Sequence, residues 1–447
     1  MKKVLAMALA MVMTMGLTAC GGGETTTTTP ETKPESSTTT PETKPEAKPE
    51  ATPEAETVDI TLATYPIGKW SDEATVNDLI ADFNAEYPNI NVTVQYLDYT
   101  NGDDTVNTAI EAGTAPDIIF EGPERLVANW GAKGYLVDLK DLVPAATYEA
   151  TLASCTSPNG AVYELPLCMT AHCMGINKDL FTAAGAMQYI DEATHTWTTE
   201  NFLKAVQAVY DYGHENVGVV FCGGQGGDQG NRVLITNLYG QGEFANAEHT
   251  EYIANTAENA KALETLYNQD GITFDPAIVG GDEVQLFVNG TFAMATCWNV
   301  AQETNNAETL TFDVFPMAFP SEDGTPSLNG GIWGFGVFDN GNDAKIEAAK
   351  TFITFMTEDD AQYAKAVEAT SYWPTREVPG MYEGNDLMTE YGMLVPMMGD
   401  YYQITKGWAT ARTEWWNMLQ RVGNGGNAQA ELDTFVANAN AAAAAEG

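Results

Sequence analysis

Val58-Asp59-Ile60-Thr61-Leu62-Ala63 opens the stretch that decides the fold, and Asp117-Ile118-Ile119-Phe120 closes it. Between them, Asp72 to Tyr87 sets Val76, Leu79, Ile80, Phe83 and Tyr87 at three-to-four spacing, the period of an amphipathic helix. Pro88-Asn89 ends that helix, and Ile90 to Tyr96 is apolar on alternate positions, as a strand requires. Thr105 to Ala112 reads as a second helix, broken by Gly113-Thr114 just ahead of the apolar strand at 117–120. The order β-α-β-α-β implies a parallel sheet with right-handed crossovers, and hence an α/β fold. In open α/β sheets ligands bind at the loops that follow the carboxyl ends of strands. That rule directs attention to the segments after Ala63, Phe120, Phe221 and Thr296.

Towards the C-terminus the same alternation continues. Strands are expected at Met174-Gly175-Ile176, Gly218 to Phe221, Thr291 to Thr296, Thr311 to Phe315 and Trp333 to Phe338. Helices are expected over Thr199–Tyr212, Ala257–Gln269, Ala344–Met356, Thr410–Val422 and Gln429–Ala445.

Towards the N-terminus the chemistry changes. Met1-Lys2-Lys3 and the short apolar run Val4 to Leu17 read as a secretory leader over residues 1–19. Leu17-Thr18-Ala19 places small residues before Cys20, whose thiol would accept diacylglycerol and become the anchored N-terminus. From Cys20 to about Thr57 the chain is built of Gly, Thr, Pro, Glu, Lys, Ser and Ala, with no aromatic residue. This composition predicts an extended, disordered stalk that holds a folded domain off a membrane. The expected location is therefore extracytoplasmic, lipid-anchored to the outer face of a bacterial cell membrane.

About 390 residues remain, enough for two lobes rather than one. The whole chain carries 20 Lys and Arg against 62 Asp and Glu, a formal net charge of -42. Nucleic-acid binding is excluded as a partner class, because phosphate backbones need cationic surface. Beyond Cys20 the cysteines are Cys155, Cys168, Cys173, Cys222 and Cys297. No pair has zinc spacing with partner histidines, so neither a metal nor a cofactor is expected. Cys168 and Cys173 are either a bridge or buried thiols. No G-x-S-x-G, H-E-x-x-H or P-loop pattern is present, which argues against an enzyme.

Several motifs, in order, resemble those of the extracellular solute-binding proteins of ABC importers, the family of maltodextrin- and multiple-sugar-binding lipoproteins. Phe83-Asn84-Ala85-Glu86-Tyr87-Pro88-Asn89-Ile90 is similar to its helix-to-strand step, and Ala112-Gly113-Thr114-Ala115-Pro116-Asp117 to its G-x-x-P-D strand entry. Gly134-Tyr135-Leu136-Val137-Asp138-Leu139 resembles the G-x-L-x-D-L segment. Leu165-Pro166 followed by Ile176-Asn177-Lys178-Asp179-Leu180-Phe181 resembles the crossing into a second lobe. Phe287-Val288-Asn289-Gly290-Thr291-Phe292-Ala293-Met294 with Trp298, and Tyr372-Trp373-Pro374-Thr375-Arg376, resemble a late strand and the last hinge. The resemblance covers residue 58 to the C-terminus. It implies a two-lobed periplasmic-binding-protein-like fold with three inter-lobe crossings and a cleft, lobe 1 spanning 58–170 with 314–370 and lobe 2 spanning 171–313 with 371–447. It further implies a protein that hands a small solute, a mono- or oligosaccharide, to the permease subunits of the importer; a monomer is expected.

Sugars offer hydroxyls at their edges and C–H surfaces on their faces, so their sites pair aromatics with carboxylates, amides and Arg. Candidate ligand residues are accordingly Tyr65 and Trp70 after the first strand and Glu121, Glu124 and Arg125 after Phe120. Glu124-Arg125 matches an acidic-Arg pair that the resemblance assigns to sugar contact; Glu121 stands where that branch carries an aromatic. In the glycine-rich run 222–229, Gln225 and Asp228 are the polar candidates. The resemblance adds Trp298, Gly331, Trp333, Tyr372, Trp373 and Arg376, the last of which reads equally well as a structural ion pair. Trp408, Trp415 and Trp416 fall near or in a late helix, divided between cleft and core. The strong negative charge and Glu121 leave a cationic solute, such as a quaternary amine or polyamine, as the alternative to a sugar; a glycerophosphodiester is another. A glycosidase or a surface adhesin fits the sequence less well.

Overall fold

The computed structural model describes residues 57–224 and 229–445. The leader, Cys20 and the stalk up to residue 56 lie outside the described residues, as do Gln225 and Asp228. Eleven strands are formed among the described residues: β1 (Val58–Thr64), β2 (Ile90–Tyr96), β3 (Ile118–Glu121), β4 (Leu165–Ala171), β5 (Cys173–Asn177), β6 (Gly218–Phe221), β7 (Ile272–Asp275), β8 (Met294–Trp298), β9 (Val314–Met317), β10 (Gly330–Val337) and β11 (Trp373–Pro374).

They assemble into a six-stranded sheet ordered β11-β4-β10-β3-β1-β2, a three-stranded sheet β8-β5-β9 and a two-stranded sheet β6-β7. The expected β-α-β-α-β core is present: β1 is parallel to both β2 and β3, with Val58 opposite Ile90 and Leu62 opposite Ile118. The other half of the sheet is antiparallel, because β10 runs against both β3 and β4. This order sets the end of β3 beside β10, Glu121 opposite Gly334, and so draws residues 121 and 334 together across more than 200 positions of chain.

Local chemistry explains the elements. Helix Glu73–Glu86 buries Val76, Leu79, Ile80 and Phe83 on one face, and the Asp72 side chain caps it by accepting from the Thr75 amide at 2.9 Å. Thr198, Thr256 and Asn342 cap the helices that follow them in the same way. The G-x-x-P-D entry has a structural purpose. Asp117 is buried, accepts from the Thr61 amide at 2.8 Å and from Asn340 at 2.6 Å, and pairs with Lys345 at 3.1 Å.

Three differences from the sequence reading have physical causes. The strand expected from Thr291 begins at Met294, because the Thr291 and Phe292 amides turn back onto the Leu286 carbonyl and close helix Gly280–Val288, with Gly290 at φ 76°. Val314–Met317 pairs with β5, so this segment stands in the smaller sheet with β5 and β8, whereas a division at residue 314 assigns it to the lobe of the large one. Trp373–Pro374, beyond the division at 371, adds to the edge of the large sheet beside β4. Among the described residues no disulfide forms: Cys155, Cys168, Cys173, Cys222 and Cys297 are buried thiols. No helix of the described residues is long and apolar enough to cross a membrane.

Candidate ligand site

The site grows from the carboxyl end of β3. Glu121 is the last residue of the strand and is almost wholly buried. Gly122 then turns the chain into the short helix Pro123–Arg125. A side chain at residue 122 would lie 2.8 Å from both Glu124 Oε2 and the Ile332 carbonyl, so only glycine lets the Glu124 carboxylate fold back towards β10.

Arg125 stands at the centre. Its Nε meets Asp103 Oδ1 at 2.6 Å, and Nη1 meets Glu121 Oε1 at 2.8 Å and Glu124 Oε1 at 3.5 Å. The guanidinium also lies over two stacked phenols, 5.1 Å from the Tyr65 ring and 5.6 Å from that of Tyr99. Tyr65 donates its hydroxyl to Asp103. Glu124 Oε2 accepts from the Tyr401 hydroxyl at 2.9 Å, a contact between residues 277 positions apart.

Charge is not balanced here. Burial pushes the Glu121 carboxyl up to about 8 against the pull of Arg125, with Glu124 and Asp103 adding to the rise. Glu164, at the foot of β4, is fully buried and is also raised well above the carboxylate range, first by burial and then by Glu124 and Glu121. Glu121 Oε2 has no hydrogen-bond partner, and the Glu164 carboxyl has only the Cys155 thiol beside it. Burial would lower the Arg125 guanidinium, but Glu121, Glu124 and Asp103 together hold it firmly protonated.

Beside this cluster β10 supplies an aromatic platform. Trp333 is half-buried and stacks on Tyr372 with ring centroids 4.8 Å apart and planes within 11°. A Cβ on Gly331 would fall 1.9 Å from the Trp333 ring, so Gly331 is what allows the indole to lie back along its own strand. The Tyr382 hydroxyl fixes the Tyr372 carbonyl at 2.6 Å.

Of the nominated residues, the structure brings together Tyr65, Glu121, Glu124, Arg125, Gly331, Trp333 and Tyr372. Three others are corrected to structural roles. Trp70 is fully buried, donates to the Ala366 carbonyl at 3.1 Å and packs on Phe120 and Phe335. Trp298 is fully buried against Gly175 and Phe287, and its Nε1 donates to the Tyr391 hydroxyl at 2.7 Å, which leaves no face for a ligand. Arg376 is the ion-pair alternative: it binds Asp360 at 2.6 Å, bonds the Thr357 and Glu358 carbonyls, and lies over the Tyr363 ring. Trp373 faces a cavity of about 680 Å³ that contains none of the other nominated residues and is bordered by Tyr382 and Tyr401.

Sequence reasoning missed Tyr99, Asp103, Glu164 and Tyr401. Tyr99 and Asp103 follow β2, a further strand end to which the same rule applies, so a signal existed. Tyr401 is reached only by folding. It also missed a buried cation: Arg232 is fully buried in helix Gln229–Leu238, donates to the Tyr402 hydroxyl at 3.2 Å, and lies 4.8 Å from the Trp408 ring. Trp415 is core. Among the described residues no group of His, Cys, Asp and Glu is arranged to hold a metal.

A model of bacterial extracellular solute-binding proteins matches residues 78–380, well over half of the chain. The chain belongs to that family. Solved structures similar to this solute-binding protein include the ABC substrate-binding protein Lmo0181 of Listeria monocytogenes in complex with cycloalternan, at 19% identity and TM-score 0.67, covering 86% of this chain and 99% of that one. The GacH receptor of Streptomyces glaucescens, solved unliganded and with acarbose, is 17% identical at TM-score 0.67, over 88% and 99% of the two chains. Maltose-bound MalE3 of T. maritima is 17% identical at TM-score 0.66, over 86% and 99%. The solute-binding protein thus has a periplasmic-binding-protein-like α/β fold. A 72-residue stretch is 33% identical to an uncharacterized lipoprotein in the oleD 5' region of Streptomyces antibioticus, and spans 16% of this chain and 16% of that protein.

Proposed function

We propose that this solute-binding protein captures a carbohydrate, a mono- or oligosaccharide, and delivers it to the permease of an ABC importer. The observation that carries the reading is the Trp333–Tyr372 platform set beside the Glu121, Glu124 and Arg125 cluster. A flat indole face receives the C–H surface of a pyranose, while carboxylates and a guanidinium exchange hydrogen bonds with its hydroxyls. The solved relatives carry cycloalternan, acarbose and maltose, which supports a sugar as the ligand class.

In this reading the two halves of the chain form lobes about a hinge, and a ligand touching both shifts the population towards the closed form. Cys20 carries the lipid, and the Thr/Pro-rich stalk gives the receptor reach towards its transporter. The role is capture without catalysis.

The excess of buried carboxylates favours a second reading, a cationic solute. Arg125, fixed over Tyr65 and Tyr99, opposes it by occupying the anionic cluster with a cation of the protein's own. A thermal-shift screen against maltose, maltotriose, chitobiose, xylobiose, polyols, glycerophosphocholine, choline and spermidine separates these readings. Ligand at 100 times its dissociation constant adds about 2.7 kcal/mol of stability, a clear rise in melting temperature. A rise with saccharides is expected; a rise with choline or spermidine alone refutes the carbohydrate reading.

A further inference from the structure

The cavity of about 680 Å³ that Trp373 faces contains neither the Arg125 cluster nor the Trp333–Tyr372 stack, and shares with the site described above only Ile332, Tyr382 and Tyr401. Its size lies within the range of small-molecule pockets, about 300–1,000 Å³. Its lining is rich in methionine and aromatic side chains. Four methionines, Met169, Met381, Met388 and Met398, contribute to it, and Met side chains adapt to flat ligands and pack well on aromatic rings. Trp373, Tyr148, Tyr382 and Tyr401 supply the rings. Glu377 and Glu383 are exposed members of the same lining, and the lining contains no Lys, Arg or His. An apolar, ring-lined cavity bordered by two carboxylates and no cation is complementary to a positive charge on an apolar body.

The cavity also touches the ligand site through two hydrogen bonds. Tyr382, held at φ 63°, donates to the Tyr372 carbonyl at 2.6 Å, and Tyr401 donates to Glu124 at 2.9 Å. Trp373 is the residue next to Tyr372. An occupant would therefore lean on three side chains that directly adjoin the aromatic platform and the acidic cluster.

We propose that this cavity is a second ligand site, distinct from the carbohydrate site, and that it takes a flat aromatic amine in its protonated form. The site stands on its own lining and does not depend on which solute the first site captures.

The test is calorimetric titration of the chain at pH 7 with three indoles that differ in charge: tryptamine, neutral tryptophol and anionic indole-3-acetate. Saturable tryptamine binding is expected, at least tenfold tighter than tryptophol, with no measurable indole-3-acetate binding. Ala150 is an exposed member of the lining, so Ala150→Trp fills the cavity from its edge without disturbing the core. This variant is expected to weaken tryptamine at least tenfold. The exposed double variant Glu377→Gln/Glu383→Gln is expected to bring tryptamine down to the level of tryptophol. Absence of saturable binding overturns the proposal. So does tryptamine binding that survives Ala150→Trp unchanged, or equal affinity for tryptamine and tryptophol in the unmodified chain.

Discussion

Replacing Arg125 with Met removes the cation shared by Asp103, Glu121 and Glu124 while keeping much of the side-chain volume. Breaking a buried ion pair from one side costs about 3–5 kcal/mol, because the remaining charge is left without compensation. The three carboxylates do not share that cost equally. Asp103 is 48% exposed and gives up little, and Glu124 keeps its bond to Tyr401. The loss falls on Glu121, which is 1% exposed and already has one unpartnered oxygen; it is small while that carboxyl stays protonated and grows towards about 3 kcal/mol as pH rises past 8. Its pH dependence is the sharper signature. Glu121 is raised by burial to about 8, above its value in the unfolded chain, so the unfolded chain ionises first. Stability conferred by the neutral carboxyl is full below about pH 4.5 and is lost as pH rises towards 8. In the native protein that loss stops near pH 8. Without Arg125 the Glu121 carboxyl rises further, and the loss continues above 8. Urea unfolding followed by tryptophan fluorescence at pH 6, 7, 8 and 9 measures both curves. A deficit below about 1 kcal/mol that does not grow between pH 8 and 9 refutes the electrostatic account of this cluster.

Other consequences follow from the same geometry. Gly331→Ala places a methyl group on the Trp333 ring and drives it off Tyr372, costing about 0.5–1.5 kcal/mol of stacking and at least tenfold in carbohydrate affinity, read by calorimetry. Trp298→Ala is expected to lower stability by about 3–5 kcal/mol in urea unfolding while leaving the affinity of the folded protein within threefold. Glu283 is fully buried, accepts from Thr296 and from the Cys297 amide, and is nevertheless raised by burial to about 7. Its contribution, about 3 kcal/mol, is present below pH 4.5 and lost as pH rises to 7; Glu283→Gln should remove that slope from a stability–pH curve.

Much of the fold was legible because its signals are local. Helical spacing from Val76 to Phe83 and alternation from Ile90 to Tyr96 depend on which side of one element is buried, and both elements appear where the pattern puts them. β4 gives no such signal: all seven of its residues are buried, so neither period shows. Glu124-Arg125 was readable as a pair because the two residues are adjacent at a strand end. Tyr401 was not, since its bond to Glu124 exists only after 277 residues of chain have folded back. Trp298 and Trp70 mark the opposite limit. A tryptophan at a strand end looks the same in sequence whether its indole stacks a ligand or bonds Tyr391 and Ala366 inside the core.

The central claim is that Trp333, Tyr372, Glu124 and Arg125 hold a neutral carbohydrate. It is tested most directly by calorimetric titration of the unmodified chain and of Trp333→Ala with the saccharide giving the largest thermal shift. Saturable binding to the unmodified chain, weakened at least tenfold in Trp333→Ala with the fold intact by circular dichroism, is the predicted result. Equal affinity in the two proteins, or no binding of any saccharide to a folded chain, would contradict it.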